Sequence, residues 1–544
     1  MNPVQLLDRP AKFVASQARA FRVLGEAGML HPSRPDRLLA AGLALHRWGL
    51  SLPGISAASA ARYPEAVAVI DDDRRVTYAE FDGRTNALAN ALEERGLRES
   101  DRVGVLCRNH AGFAESVIAL TKLGSDVTLL NTGLAEPQIH AVIEREGITA
   151  IVHDATSGPS VAAAIRPRRR FVADSGRPGR GTTLQRLIEH ANTSEPRPPR
   201  RQSSITILTS GTTGAPRGAS RSQPATSDPA VSVLSSIPLR ARGTTVIAAP
   251  LFHAWGFAHL ALGLALSSTA VLRRQFDPEQ TLADVEKYHA TALVAVPLML
   301  RRILDLPAGV RKRYETSSLR VVAVSGSALP GDLADAFMDE FGDVVYNLYG
   351  STEVATATIA TPADLRAAPG TAGRPPRGTL VRVVDDRGNP LPQGAVGRIF
   401  VGNDALIESY ADGEVNEMID GLMETGDVGH FDSEGRLFLD GRSDEMIVSG
   451  GENVYPVEVE ALLMEHPDIV DAAVVRVADE EWGQRLAAFV VRRRGARLSV
   501  DDVKGYVRMQ LARHKVPRDV HFVRELPRNP TGKVVKSALT APIS

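Results

Sequence analysis

The sequence predicts an α/β protein: a large N-terminal domain of α/β sheets that ends in a β section, followed by a small α+β domain. Three observations carry this. At 544 residues the chain is longer than one hydrophobic core ordinarily organises, so several cores are expected. Between Arg102 and Leu130 an apolar run, a helical stripe and a second apolar run follow one another, the pattern of a βαβ unit and hence of a parallel sheet. Beyond Gly370 the apolar runs come closer together, divided by Gly and Pro turns as in antiparallel strands.

The first stretch, to about Gly54, reads as helical, with Phe13, Ala20, Phe21, Leu24, Leu38, Leu39, Leu43 and Trp48 on apolar faces and Arg19, Arg22, Arg37 and Arg47 between them. Such basic amphipathic helices more often pack on a main body or a second subunit than on a membrane surface, so packing on the body or in a homodimer, taken together, ranks ahead of peripheral membrane contact. Strands are expected at 102–107 and 126–130, flanking a helix at 111–123 with Phe113, Val117 and Leu120 on one face. Further strands at 205–208, 245–249, 292–296, 320–324 and 344–348 continue the α/β pattern. The β section takes strands at 380–384, 398–401 and 436–439. The last unit combines strands at 446–448, 470–477, 486–491 and 521–523 with helices at 457–465 and 500–513. The expected domains are a helical extension at 1–54, a large domain at 55–442 and a small one at 443–544. The Pro-, Gly- and Arg-rich passage from Thr156 to Ser204 has few aromatics on which bases could stack and reads as a solvated surface connection.

Composition narrows the function classes. With 63 Lys and Arg against 64 Asp and Glu there is no global field to attract nucleic acid. No apolar run approaches the roughly 20 residues of a membrane span. The N-terminus lacks the basic, apolar and small-residue order of a secretion signal, which leaves the cytoplasm as the expected compartment. The single cysteine, Cys107, lies in the apolar stretch from Val103 and reads as core; it excludes an intrachain disulfide and a thiolate metal cluster.

The strand at 205–208 runs into Thr209, Ser210, Gly211, Thr212, Thr213, Gly214, Ala215, Pro216, Arg217 and Gly218. Glycines let backbone N–H groups turn toward an anion, the hydroxyls add donors and Arg217 adds charge, so this is a phosphate cradle. It is not the Walker P-loop, since no G-x-x-x-x-G-K-[ST] occurs and Gly532-Lys533 is followed by Val534. Further strings follow in order. They are Ser325-Gly326-Ser327-Ala328-Leu329-Pro330, Tyr346-Asn347-Leu348-Tyr349-Gly350-Ser351-Thr352-Glu353, Thr425-Gly426-Asp427, Gly441-Arg442-Ser443-Asp444, Ser449-Gly450-Gly451-Glu452 and Pro527-Arg528-Asn529-Pro530-Thr531-Gly532-Lys533. Asp427 can accept both hydroxyls of a ribose and Arg442 can donate to the same sugar.

In these strings, from about Ser56 to Lys536, the chain resembles the adenylate-forming superfamily of acyl-CoA synthetases, luciferases and adenylation domains, and within it a bacterial fatty-acid–CoA ligase. The resemblance implies that Thr209 to Gly214 and Arg217 grip the β- and γ-phosphates of ATP, and that Ser325, Gly326, Ser327 and Ala328 line the adenine pocket. It implies that Tyr349 stacks on adenine, with Gly350 and Ser351 beside it, that Thr352 contacts the α-phosphate and that Glu353 holds Mg²⁺. Asp427 and Arg442 hold the ribose, and Asp444 is the hinge of a small, mobile C-terminal domain. The Gly450, Gly451 and Glu452 loop faces the site during thioester formation, Lys533 serves the adenylation step, and His253 guards the acyl pocket.

The implied reaction is activation of a medium- or long-chain fatty acid as acyl-AMP and its transfer to coenzyme A. The fatty acid is favoured by the run Ala258 to Leu266, which has almost no polar group, and by the lack of an acid or Asn here to pair with an amino-acid ammonium. One rival is a fatty acyl-AMP ligase that hands the adenylate to a carrier protein, against which there is no extra segment between Glu353 and Asp444. The other is a non-catalytic adenylate-binding protein, against which Glu353 and Lys533 are both retained. Arg217 stands where relatives mostly have lysine, and Met423 where a bulky aromatic is common.

Overall fold

The computed structural model describes residues 20–173, 182–209, 217–221, 228–406, 416–449, 452–479, 483–529 and 532–539, with backbone only at 209, 217–221, 448–449, 452–453 and 483. Two mostly parallel sheets make up the large part. In one, Thr182–Thr183, Arg170–Val172, Ala150–His153, Arg102–Leu106, Asp126–Leu129, Ile205–Thr209 and Arg217–Arg221 lie side by side in that order, and only the last pair is antiparallel. In the other the order is Thr358–Ala360, Val345–Tyr349, Val321–Val324, Ala292–Ala295, Thr244–Ile247, Thr269–Leu272, Val67–Ile70 and Arg75–Thr77, antiparallel only at its two ends. Strands covered on both faces can be apolar throughout, as Val321–Val324 is, with every residue buried.

One apolar core joins Val103, Val105 and Val127 of the first sheet to Ile247, Leu272 and Val294 of the second through helices Tyr78–Glu94 and Ala111–Leu123. The second helix is buried from Ala111 to Lys122 and stops at Gly124, whose φ of 84° supplies the left-handed cap. Burying a whole helix takes its charges inside too. Glu115 is 0% exposed and is met by Arg74 Nη2 at 2.8 Å and Arg84 Nε at 2.6 Å. Lys122 is 1% exposed and donates to Asp82 Oδ1, Thr85 Oγ1 and Asn86 Oδ1 at 2.7, 2.9 and 2.6 Å.

Near the N-terminus, helix Pro35–Trp48 buries Ala41 and Trp48, the indole donating to Glu195 Oε1 at 2.6 Å. Leu38, Leu39 and Leu43 face outward, with Leu39 67% exposed. The next helix, Leu52–Arg62, runs through Gly54, while Phe13 and Arg19 lie outside the described residues. No helix among the described residues is long and apolar enough to cross a membrane. The passage expected to be a bare connection contains strand Arg170–Val172, which extends the first sheet, and helix Leu184–His190. Phe171, which follows three arginines, is 0% exposed in this strand.

The β section is an antiparallel sheet of Leu380–Val384, Gly397–Gly402, Leu422–Phe431 and Met418–Ile419, with Leu437–Arg442 also paired to Leu422–Phe431. Met423 is 2% exposed in the core of this sheet, beside Ile399 and Val401. The last unit has its own core and sheet: Glu452–Val454, Ile447–Ser449, Gly483–Arg492 and Ile469–Asp479 in order, with Asp519–Val523 parallel to Gly483–Arg492. Helices Pro456–Met464 and Val500–Gln510 contribute to that core. The α/β class with a smaller C-terminal unit is therefore as expected.

Lys122→Ala removes the cation from three acceptors and opens a void in a fully buried helix, so it is expected to cost about 3 kcal/mol. The urea midpoint measures this, and Lys122→Met, which keeps the stem, is expected to lose less than half as much.

Candidate active site

The second sheet, the β section and the last unit meet around Asp427. Its strand places it opposite Arg442, and Arg442 Nη1 donates to Asp427 Oδ1 at 3.3 Å. Tyr349, the last residue of its strand in the second sheet, donates its hydroxyl to Asp427 Oδ2 at 2.6 Å. Arg442 also donates through Nε to Asp444 Oδ1 at 2.8 Å, so one guanidinium spans the expected ribose acceptor and the expected hinge. Gly426 has φ 76°, and a Cβ there would lie 3.0 Å from Arg442 Nη2, so a side chain would displace the guanidinium. Burial pushes the Asp427 carboxyl above its ordinary range, while Tyr349, Arg442 and the nearby Lys533 ammonium draw it back. The same burial, with the Asp427 charge, raises Tyr349 and keeps its proton in place.

Beyond Tyr349 the chain turns sharply. Ser351 Oγ accepts from Glu353 N at 3.2 Å and from Val354 N at 3.3 Å, and a Cβ on Gly350 would run into Ala355 O. Thr352 and Glu353 sit half-buried on this turn. Their hydroxyl and carboxylate are the hard oxygen donors that suit Mg²⁺, so the residues present fit that ion. The Ser325 turn follows strand Val321–Val324; Ser325 is buried, and Gly326 (φ 97°) lies against Val296.

Lys533 is exposed at the tip of a hairpin in which Arg528 and Val534 face each other. Asn529 holds the tip, its Oδ1 accepting from Lys533 N at 2.9 Å and its carbonyl from Gly532 N at 2.8 Å. Gly532 is buried with φ 80°, and a Cβ there would meet the Leu298 side chain at 3.0 Å. The tail is thus seated on the segment after strand Ala292–Ala295, near Val296 and Gly326.

Helix Ala254–Ala265 reaches the same strand end, because Trp255 Nε1 donates to Ala295 O at 3.1 Å. His253 precedes the helix with its ring centroid 4.6 Å from that of Phe252 and its Nε2 shut from solvent without a partner among the described residues. One turn into the helix lies His259, 4% exposed, which the sequence reading missed inside an apolar run. Its only signal is being the one polar side chain between Ala258 and Leu266. Burial lowers both imidazoles to about 4 from 6.5, so both are neutral at pH 7.

Several expected residues are therefore brought together: Tyr349, Asp427, Arg442 and Asp444 by direct contact, and Lys533 by its field at Asp427. Ser210 to Gly214, Gly450 and Gly451 lie outside the described residues, and Thr209, Arg217 and Glu452 are placed by backbone alone. Thr209 pairs with Arg217 and Ser449 with Glu452, each across an antiparallel ladder. A buried group of Cys107, His110 and Asp154 could be taken for a metal site. Both ring nitrogens of His110 are engaged, Nε2 with Asp154 Oδ1 at 2.7 Å and Nδ1 with Gly112 N at 3.1 Å, which makes it the cap of helix Ala111–Leu123.

The depressed histidines set a pH dependence. A group neutral in the fold stabilises it fully above its unfolded pKa of 6.5, and that stability is lost as pH falls toward 4, by up to about 3 kcal/mol for each imidazole. Thermal midpoints are expected to fall less steeply with acid in His259→Leu than in the parent.

Comparison with known proteins agrees with this arrangement. Residues 56–411 match the family of AMP-binding enzymes and residues 458–533 match the C-terminal domain of AMP-binding enzymes. The chain is 33% identical over 487 residues to an indoleacetate–CoA ligase of Aromatoleum aromaticum, covering 87% of this chain and 94% of that protein. It is 32% identical over 480 residues to a feruloyl-CoA synthase of an Amycolatopsis species, covering 87% and 95%. Among solved structures it resembles the o-succinylbenzoate CoA synthetase of Bacillus subtilis in complex with its acyl-adenylate intermediate, with TM-score 0.77 and 26% identity over 90% of this chain and 98% of that one. With its two matched regions, and with the strings around Tyr349, Asp427 and Arg442 gathered at one place, the chain belongs to the AMP-binding, adenylate-forming enzymes.

Proposed function

We propose that this chain is an acid–thiol ligase that activates an apolar carboxylic acid with ATP and passes it to coenzyme A. The observation that supports this most is the node of Tyr349, Asp427 and Arg442 with Lys533 beside it, which offers a ribose acceptor and a phosphate cation within one electrostatic neighbourhood. In the first step the acid's carboxylate attacks the α-phosphorus and pyrophosphate leaves, giving acyl-AMP. Lys533 offsets the negative charge of the two approaching anions, Thr352 donates to the α-phosphate, and Thr209 to Gly214 with Arg217 hold the outer phosphates. Glu353 would hold Mg²⁺, which when bound neutralises phosphate charge. In the second step the CoA thiol attacks the acyl carbonyl and AMP leaves. For this the last unit turns about Asp444, withdrawing Lys533 and bringing up the Gly450, Gly451 and Glu452 loop.

The acid is read as ring-bearing. Phe252 lies against His253 and Trp255 against His259, two neutral imidazoles at one end of helix Ala254–Ala265, and the two relatives above are named for aromatic acids. A fatty acid is the second reading, favoured by the leucines at 260, 262, 264 and 266.

A panel of acids incubated with ATP, with and without CoA, and read by mass spectrometry tests the activity. Acyl-CoA and AMP are expected; acyl-AMP that CoA leaves unchanged would point to a carrier-protein ligase, and no AMP with any acid to a non-catalytic protein. Lys533→Ala is expected to slow adenylation by about 10²- to 10³-fold while leaving thioester formation from supplied acyl-AMP within about tenfold. Equal losses in both half-reactions would count against the turning of the last unit.

A further inference from the structure

The helix Ala254–Ala265 carries one polar side chain that the mechanism does not use. His259 is 4% exposed, and its Nδ1 lies 3.0 Å from the carbonyl oxygen of Trp255. A carbonyl oxygen only accepts, so Nδ1 bears the proton and Nε2 is left as a bare acceptor. Among the described residues that Nε2 is shut from solvent and has no partner. An acceptor buried without a donor costs about 1–3 kcal/mol, which a leucine at this position would avoid.

The ring is also held in place. Its ring centroid is 4.1 Å from that of Trp255, with the planes inclined at 69°, and Trp255 is itself tied to Ala295 O. Trp255, His259 and Leu262 share one face of the helix. Trp255 and Leu262 pack with Ala292, Ala323, Tyr346 and Leu348 of the second sheet. The sheet meets this face partly with methyl groups, next to the strand end where Val296 and Leu298 meet Gly326 and Gly532. A positioned acceptor without a donor among the described residues, on the helix whose first turn reaches the Ala295 strand end, is fitted to receive a donor from a ligand.

Resting on the ligase reading above, we propose that His259 is a specificity-determining residue whose Nε2 accepts a hydrogen bond from the acid substrate. The acids selected are aryl acids that carry a hydroxyl or ring N–H remote from the carboxylate, over the same acids without it. No change in protonation is involved; the imidazole stays neutral and only reads the donor.

The test measures kcat/KM by pyrophosphate release for hydroxycinnamic acids with the hydroxyl at each ring position, their methyl ethers, cinnamic acid and decanoic acid. The parent enzyme is expected to favour one hydroxy acid over cinnamic acid and over its ether by roughly 10- to 100-fold. His259→Leu is expected to lose that preference while still turning over cinnamic acid, and His259→Gln, which restores an acceptor, to recover part of it. Melting curves near neutral pH confirm that both variants fold, and if His259→Leu does not, the parent panel and His259→Gln decide. Equal turnover of hydroxycinnamic and cinnamic acids by the parent overturns the proposal, as does a preference that survives in His259→Leu. Turnover of decanoic acid alone would overturn it while leaving the ligase reading intact; no AMP from any acid would end both.

Discussion

A carboxylate taken out of water has to be met by donors, and at Asp427 the donors come from separate parts of the fold. Tyr349 arrives from the end of a strand in the second large sheet, and Arg442 from the strand that leads out of the β section into the last unit. Breaking either contact would leave charge with too little compensation in a site that already pushes the carboxyl upward. The relative placement of the second sheet and the β section is therefore tied to one side chain. The same guanidinium also donates to Asp444, the proposed hinge, through its other nitrogens.

Much of the architecture was legible because burial and periodicity coincide. Helix Ala111–Leu123 has the bounds its apolar stripe predicted, and Val321–Val324 and Leu380–Val384 are strands where the apolar runs lie. What stayed hidden are features without a local signal. Arg170–Val172 and Arg217–Arg221 join the first sheet through backbone pairing, which no side-chain pattern of theirs announces. The charges of Glu115 and Lys122 look like a solvated face until tertiary packing brings Arg74, Arg84 and Asp82 to them.

At the site, the strings around Tyr349, Asp427 and Lys533 were visible, but the contact that unites the first two spans 78 residues of chain and arises only from the crossing of strands. His259 went unread because one imidazole in a run of Ala, Leu and Gly barely alters mean hydropathy; its meaning lies in which of its nitrogens is already engaged. The two ends of the site differ in kind. The nucleotide end is crowded with ions that answer one another, whereas the end near helix Ala254–Ala265 is dry, and its polar atoms are uncharged.

The pairing of Thr209 with Arg217 constrains what lies between them. That register fixes where its two ends stand, Thr209 at the close of one strand and Arg217 at the opening of its antiparallel neighbour. A slip of one residue in this pairing would move Arg217 off Thr209 and re-pair every position to Arg221. The sheet, rather than any side chain, sets how far Thr209 stands from Arg217.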